Sequence, residues 1–412
     1  MGSNRRWLLK YTRGVNDPSD KLDVTKTVGW GAYLGSSWTW CIGMFLPLLL
    51  MRDFGIAAVA VFAVPNVLGA MAMGWVLRDG ASERIVAEHR GMVRAFSVVT
   101  VAFQSFFLTW MLSWLGTSFA MLALAAAGLS LVSSMARPSR SDVVTAGGGV
   151  AQWVISVGVL GVALGNGAIG SLPPNLPAAS IEIMPLAMVC MLGFALCPYL
   201  DVTFHHARQR TSGATARGAF GLGFGLFFLA MIVGTVLYSG AVSAVANGGA
   251  KIGLVLLWVL GLHIGLQLLY TVRVHSERWA ASGRGWMVSA ALVGVAIGLM
   301  ATTSPGGPLA RGGMTTAEMC YRVFMAFYGL VFPAYVWICM IPSRGGAAGR
   351  QAGIVAAAAV ALAAPCYWMG FIERQTWWLA LGVAVVVVAR VAVRRSATTP
   401  GETTTDPGHA GI

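Results

Sequence analysis

MLGFALCPYLDVTFHHARQR, residues 191–210, is the stretch on which the fold turns. It begins as membrane-grade apolar sequence and ends in bases, yet it holds Pro198 and then Asp201. Proline lacks a backbone donor and its ring collides with the preceding turn, so a helix from Gly193 to Asp201 is expected to kink or break there. In hydrocarbon the freed backbone groups survive only inside protein or beside a watery hollow. An acid in such a segment marks a candidate solute or ion site. The competing reading is that Asp201, His205 and His206 merely show where a helix leaves the membrane.

The sequence on both sides is equally oily. Of 412 residues, 57% are hydrophobic and 10% charged, with a mean hydropathy of +0.72; soluble domains carry about 25% charged residues. A spanning helix needs about 20 apolar residues. Runs of that kind fall at 28–51, 54–77, 92–115, 117–136, 143–165, 184–206, 219–242, 251–273, 286–303, 318–341, 352–371 and 376–393. The expected fold is all-α, a polytopic membrane protein of about twelve transmembrane helices with the lipid bilayer as its partner and no separate soluble domain.

Charge gives the orientation. Cytoplasmic loops are enriched in Lys and Arg. With the N-terminus inside, only Arg52, Lys251, Arg311, Arg322 and Arg374 of the 28 lysines and arginines fall in outer loops. Both termini are therefore expected in the cytoplasm, and the membrane is expected to be a bacterial inner membrane. The net charge of +13 is scattered in short clusters between apolar runs, which argues against nucleic acid as a partner. The N-terminal segment has no apolar core of a cleaved signal peptide, and Arg6 stands where a myristoylation pattern wants Ser or Thr. The six cysteines include no C-x-x-C pair and read as packing residues. The Thr/Pro/Gly-rich tail after Ser396 has nothing to bury.

Several chemistries lack their residues. No G-x-x-x-x-G-K-[ST] loop is present to drive an ATP pump. His263 is the one plainly mid-span histidine, where a haem between helices wants two, and no paired acids would hold a magnesium diphosphate. An enzyme would have to draw on Glu88, His89, His205 and His206, so no catalytic residue, metal site or cofactor is expected.

What remains is polarity inside apolar helices. The first run, VGWGAYLGSSWTWCIGMFLPLLLM, mixes Gly31, Gly35, Ser36, Ser37, Thr39 and Gly43 with Trp30, Trp38 and Trp40, and would border a polar cavity or pack closely on a neighbour. Pro65 and Asn66 interrupt the second run, where packing of a kinked helix is the better reading. Gln104, Gln152, Trp153, Ser156, His263 and Gln267 are the other mid-helix polar groups. His263 and Gln267 are four apart on one helical face, as are Asp201 and His205, and a carboxylate near an imidazole suits proton coupling. Residues 78–91 could form a short surface helix; a solvated connector is the default reading.

The Gly/Ser-rich first helix, GWGAYLGSSWTWCIGMF, the Pro-interrupted sixth, GFALCPYLD, and the Pro-bearing outer loop between the fifth and sixth together resemble the secondary transporters of the amino acid-polyamine-organocation superfamily, including the sodium:solute symporters. The resemblance implies inverted repeats of helices one to five and six to ten, with the first and sixth unwound at mid-membrane around the substrate. It divides the chain into a cytoplasmic segment 1–27, a first repeat 28–165, an outer linker 166–183, a second repeat 184–341, two additional helices over 342–393 and a tail 394–412. It implies a symporter-like carrier of a small organic solute, with Trp38, Trp40, Phe194 and Tyr199 as stacking walls and Gly35, Ser36, Ser37 and Thr39 as backbone and hydroxyl contacts. Asp201, His205, His263 and Gln267 are the candidates for ion or proton coupling. The eighth helix departs from the sodium-coupled pattern, offering His263, Gln267 and Thr271 where adjacent hydroxyls complete a sodium site, so Na+ and H+ both stand as coupling ions. A membrane scaffold or sensor, with the first and sixth helices tightly packed and no central polar cavity, is the alternative.

Overall fold

In hydrocarbon every backbone donor and acceptor must find a partner within the chain, and helices achieve this segment by segment. The structure, a computed structural model, describes residues 21–115, 141–165, 172–173, 176–178, 180–246, 254–279, 281–341 and 350–396, and its named elements are all helical. The apolar run 117–136, most of the linker 166–183, the N-terminal residues 1–20 and the tail beyond 396 lie outside the described residues. Among those described, eight helices are long and apolar enough to cross a membrane, and a bent pair in the first run makes up to nine. The chain is thus an integral, all-helical membrane protein with eight to nine candidate spans among the described residues, and the run 117–136 counted from sequence lies outside them. The last run is a shorter apolar helix, Trp377–Val391.

The first run is broken without a proline at the break. Helix α1 (Val24–Ser37) starts on Asp23, whose carboxylate accepts the Lys26 N–H at 3.0 Å. At Trp38 it gives way to a π-turn, Thr39–Gly43, and α2 (Leu46–Phe54) departs with the two halves bent by 67°. Pro47 lies in the first turn of α2, where its missing donor is no loss. Cys41 sits at the bend with φ 48°, a left-handed conformation that costs a non-glycine residue about 1–2 kcal/mol.

The sixth run is broken at its proline. Helix α7 (Ile183–Leu196) tightens into a 3-10 turn, Cys197–Leu200; Asp201 is extended, and α8 (Val202–Arg210) begins afresh. By contrast Pro65 is carried inside α3 (Ala57–Val76) and Pro365 inside α15 (Arg350–Phe371). Between these lie α4 (Ala81–Glu88), α5 (Arg90–Leu115), α6 (Asp142–Gly165), α9 (Gly213–Leu222), a π segment Gly223–Phe228, α10 (Leu229–Ala246), α11 (Leu254–Ser276) and α12 (Ala281–Thr303). Helix α13 (Thr316–Ala326) continues through π-turns at Phe327–Val331 and Val336–Met340 flanking α14 (Phe332–Tyr335), and α16 (Trp377–Ser396) closes the chain.

Helix α5 is the most buried span and stands at the centre, against α11, α12 and α13. Helix α1 packs on α6 and on the α9 span, while α7 packs on α3 and on the α14 region; α3 and α9 also meet. The outward faces carry Val64, Leu68, Leu362 and Val388 to the lipid. Close approach of α1 and α6 depends on Gly149, because a Cβ there would lie 2.4 Å from the Tyr33 Cα. Gly149→Val must push the two helices apart, and thermal unfolding of the purified protein is expected to show a loss of about 2 kcal/mol or more; unchanged melting would contradict this packing.

Candidate functional site

Two broken helices leave two sets of loose ends, and the structure joins them. The indole N–H of Trp38, at the end of α1, donates to Asp201 Oδ2 at 2.7 Å. Asp201 Oδ1 accepts the Thr203 backbone N–H at 2.8 Å and the Thr203 hydroxyl at 2.6 Å. The carboxylate is 0% exposed, and among the described residues no Lys or Arg pairs with it. Its support is the N-terminus of α8, where a side-chain oxygen caps orphan N–H groups and the helix dipole favours an anion. Sequence spacing shows why the sixth run breaks here: Pro198 stops one helix and Asp201 starts the next. The Trp38 ring also lies on Phe204, with centroids 5.1 Å apart.

Beside this bridge is a central cavity of about 20 Å³. Ser37, Trp38, Cys41 and Ile42 line it from the α1 break, Phe96, Thr100, Phe103 and Gln104 from α5, and Tyr328 from the π-turn after α13. Its polar groups are neutral. The Cys41 thiol donates to Gln104 Oε1 at 3.1 Å, and the hydroxyls of Thr100 and Tyr328 are 3.0 Å apart. Freed backbone is covered by tyrosines: Tyr321 OH donates to the Cys41 carbonyl and Tyr238 OH to the Met44 carbonyl at 2.7 Å.

A second, apolar cavity of about 40 Å³ lies between α2, α7 and α13, lined by Leu46, Leu49, Leu50, Val189, Cys190 and Phe194 among others, and shares Tyr328 with the central one. Arg322 lines it too and is buried with Asp53 and Glu318 in a charge network that the half-exposed Arg52 completes. Arg52 grips Glu318 with both terminal nitrogens, at 3.0 and 2.6 Å, and donates to Asp53 Oδ1 at 3.0 Å. Arg322 bonds Glu318 Oε1 at 2.9 Å, Asp53 Oδ2, and the Phe371 carbonyl at 2.7 Å. The end of α2, the start of α13 and the end of α15 are tied by one knot of charge.

The expected residues divide accordingly. Ser37 and Trp38 meet the central cavity, and Asp201 reaches it through Trp38. Gly35, Ser36 and Thr39 are backbone and hydroxyl partners at the α1 end; the Trp40 side chain lies outside the described residues. Phe194 and Tyr199 are not walls of the central cavity. Phe194 lines the second, apolar cavity and packs edge-on to Phe62, and the Tyr199 carbonyl lies 2.9 Å from His205 Nε2. His205 is not paired with the Asp201 side chain either, because its Nδ1 lies 2.9 Å from the Ser82 hydroxyl. That contact seats α4 on α8, so residues 78–91 are more than a solvated connector. His263 meets Ser156 at 2.7 Å, and Gln267 reaches Ser36. Sequence reading missed Cys41, Phe96, Thr100, Phe103 and Tyr328; the i, i+4 pair Thr100 and Gln104 on an otherwise apolar helix was the available signal. Among the described residues, no three His, Cys, Asp or Glu side chains converge to hold a metal. Neither protein-family models nor curated proteins yield a match to this chain.

Proposed function

We propose that this chain is a secondary transporter for a small organic solute, working by alternating access between its first and sixth spans. The observation that carries the reading is the Trp38–Asp201 hydrogen bond, which ties the break in the first span to the extended residue that ends the sixth, beside a cavity lined by aromatic and neutral polar groups. Non-helical backbone in a membrane survives where it is buried in protein or lines a watery hollow, and this pair borders such a hollow. A scaffold gains nothing from two such breaks, one of which holds Cys41 at positive φ.

Helix pairing supports the finer architecture of the superfamily resemblance. In the twelve-run numbering, the first span packs on the fifth and seventh, and the sixth packs on the tenth and second, besides the additional twelfth; exchanging one with six, two with seven and five with ten maps one set of repeat contacts onto the other. The third meets the eighth and the second meets the seventh, pairs that such an exchange leaves unchanged. This is the pairing expected of two inverted five-helix repeats followed by two extra helices. With cytoplasmic termini in a bacterial inner membrane, the charge network of Arg52, Asp53, Glu318 and Arg322 would face outward and Arg208, bound to the Leu77 carbonyl and Asp79, inward.

The central cavity has room for about one water molecule, so a solute must be admitted by movement of the α1 break or of Tyr328. With only neutral donors and acceptors at its wall, it suits an uncharged or cationic solute better than an anion. The test is uptake by the purified protein in liposomes from a panel of small amines, amides and zwitterions. Accumulation of at least one solute, reduced tenfold or more in Trp38→Phe, is expected; a folded protein that moves none of them would contradict the reading.

A further inference from the structure

The C-terminal end of a helix presents carbonyls without intrahelical partners at the negative pole of its dipole. At mid-membrane, the carbonyls of a broken helix are where a coupling cation binds. The end of α1 is furnished differently, since four successive carbonyls each meet a side-chain donor. Tyr270 OH donates to the Tyr33 carbonyl at 3.2 Å, Ser37 Oγ to Leu34 at 2.7 Å, Thr39 Oγ1 to Gly35 at 3.0 Å and Gln267 Nε2 to Ser36 at 2.6 Å.

Gln267 differs from the two local hydroxyls because it comes across the bundle from α11, and it is 0% exposed. Its orientation is fixed at both ends. Gln152 Nε2 on α6 donates to Gln267 Oε1 at 2.9 Å while Gln267 Nε2 donates to Ser36, with Thr271 Oγ1 a longer second acceptor at 3.4 Å. Turning the amide over would set two donors face to face and two acceptors face to face. Ser36 completes the seam by donating its hydroxyl to the Gly149 carbonyl of α6 at 3.1 Å. A fixed amide donor thus bears on the carbonyl that a cation at this helix end would draw on, and ties α1 to α6 and α11.

We propose that the Gln267 amide takes the place of a coupling cation at the α1 break, so that this carrier closes without sodium. The proposal rests on the transport reading, but its test reads ion response alone and needs no knowledge of the solute. Melting of the purified full chain is compared in sodium chloride and in N-methylglucamine chloride at equal ionic strength. The wild type is expected to melt at the same temperature in both. Gln267→Ala is expected to melt lower in N-methylglucamine and to recover most of that loss in sodium, because the freed Ser36 carbonyl and Thr271 hydroxyl then accept the ion. Gln267→Glu keeps the shape and the acceptor for Gln152 while replacing the donor with a carboxylate, and is expected to show the same sodium rescue if the alanine variant does not fold. Sodium stabilisation of the wild type would overturn the proposal, as would variants that melt alike in both salts. Failure of solute uptake with this ion pattern intact would instead count against the transport reading.

Discussion

Asp201→Ala is expected to abolish solute uptake and to cost about 3 kcal/mol of stability, since truncation leaves the Trp38 indole N–H and two Thr203 donors buried without an acceptor. The loss in transport has a separate cause from the loss in stability. Without the carboxylate, the hydrogen bond between the end of α1 and the start of α8 is gone and only ring packing such as Trp38 on Phe204 remains, so movement of one half-helix is passed on weakly to the other. Asp201→Asn separates the two effects. The amide keeps the volume and can still accept from one side, but its NH2 must then face either Trp38 or Thr203 as a second donor. Uptake should therefore remain at least tenfold reduced while melting recovers part of the way. An Asp201→Asn protein with full uptake would mean that the bridge holds the fold without serving transport.

Arg322→Ala is expected to cost about 2 to 3 kcal/mol, because it removes charge-assisted hydrogen bonds to two carboxylates, each of which keeps another arginine. Asp53 is left with Arg52 and with Arg374 at 3.7 Å, and Glu318 with Arg52, while the Phe371 carbonyl loses its donor. Arg322 lines the second, apolar cavity, so the same change should unseal it. Cys190 lines that cavity and is buried, which gives the readout: in a variant retaining Cys190 alone, a membrane-impermeant maleimide should label it several-fold faster once Arg322 is gone. Faster labelling with unchanged melting would place the network at a gate and not in the fold; unchanged labelling would remove the gating role.

Much of the architecture is legible in the apolar runs, because a bilayer enforces helix length and leaves loops to carry the charge. The break in the sixth run is legible as well, although proline alone does not announce it. Pro65 and Pro365 are carried inside helices, whereas Pro198 is followed by Asp201 and Thr203, whose side chains satisfy the next helix start. The first break has weaker markers, small residues and hydroxyls between Gly35 and Thr39, since its backbone groups are satisfied from distant helices by Tyr321, Tyr238 and Gln267. Partners of that kind are set by packing across the bundle. Helical spacing placed Asp201 with His205 on one face, but Trp38, 163 residues away in sequence, is what Asp201 binds. Likewise Arg52 and Asp53 marked a joint between helices, while their assembly with Glu318 and Arg322 needed the folded chain.

Accessibility of Cys41 tests the central claim most directly. It lines the cavity at the α1 break and is 1% exposed, and no solute has to be known to probe it. With the other five of the six cysteines replaced, sealed vesicles of each orientation are treated with an impermeant maleimide. Alternating access predicts slow labelling from both faces, the cavity opening first to one side and then to the other. Labelling from neither face, or from one face alone, would contradict alternating access at this site.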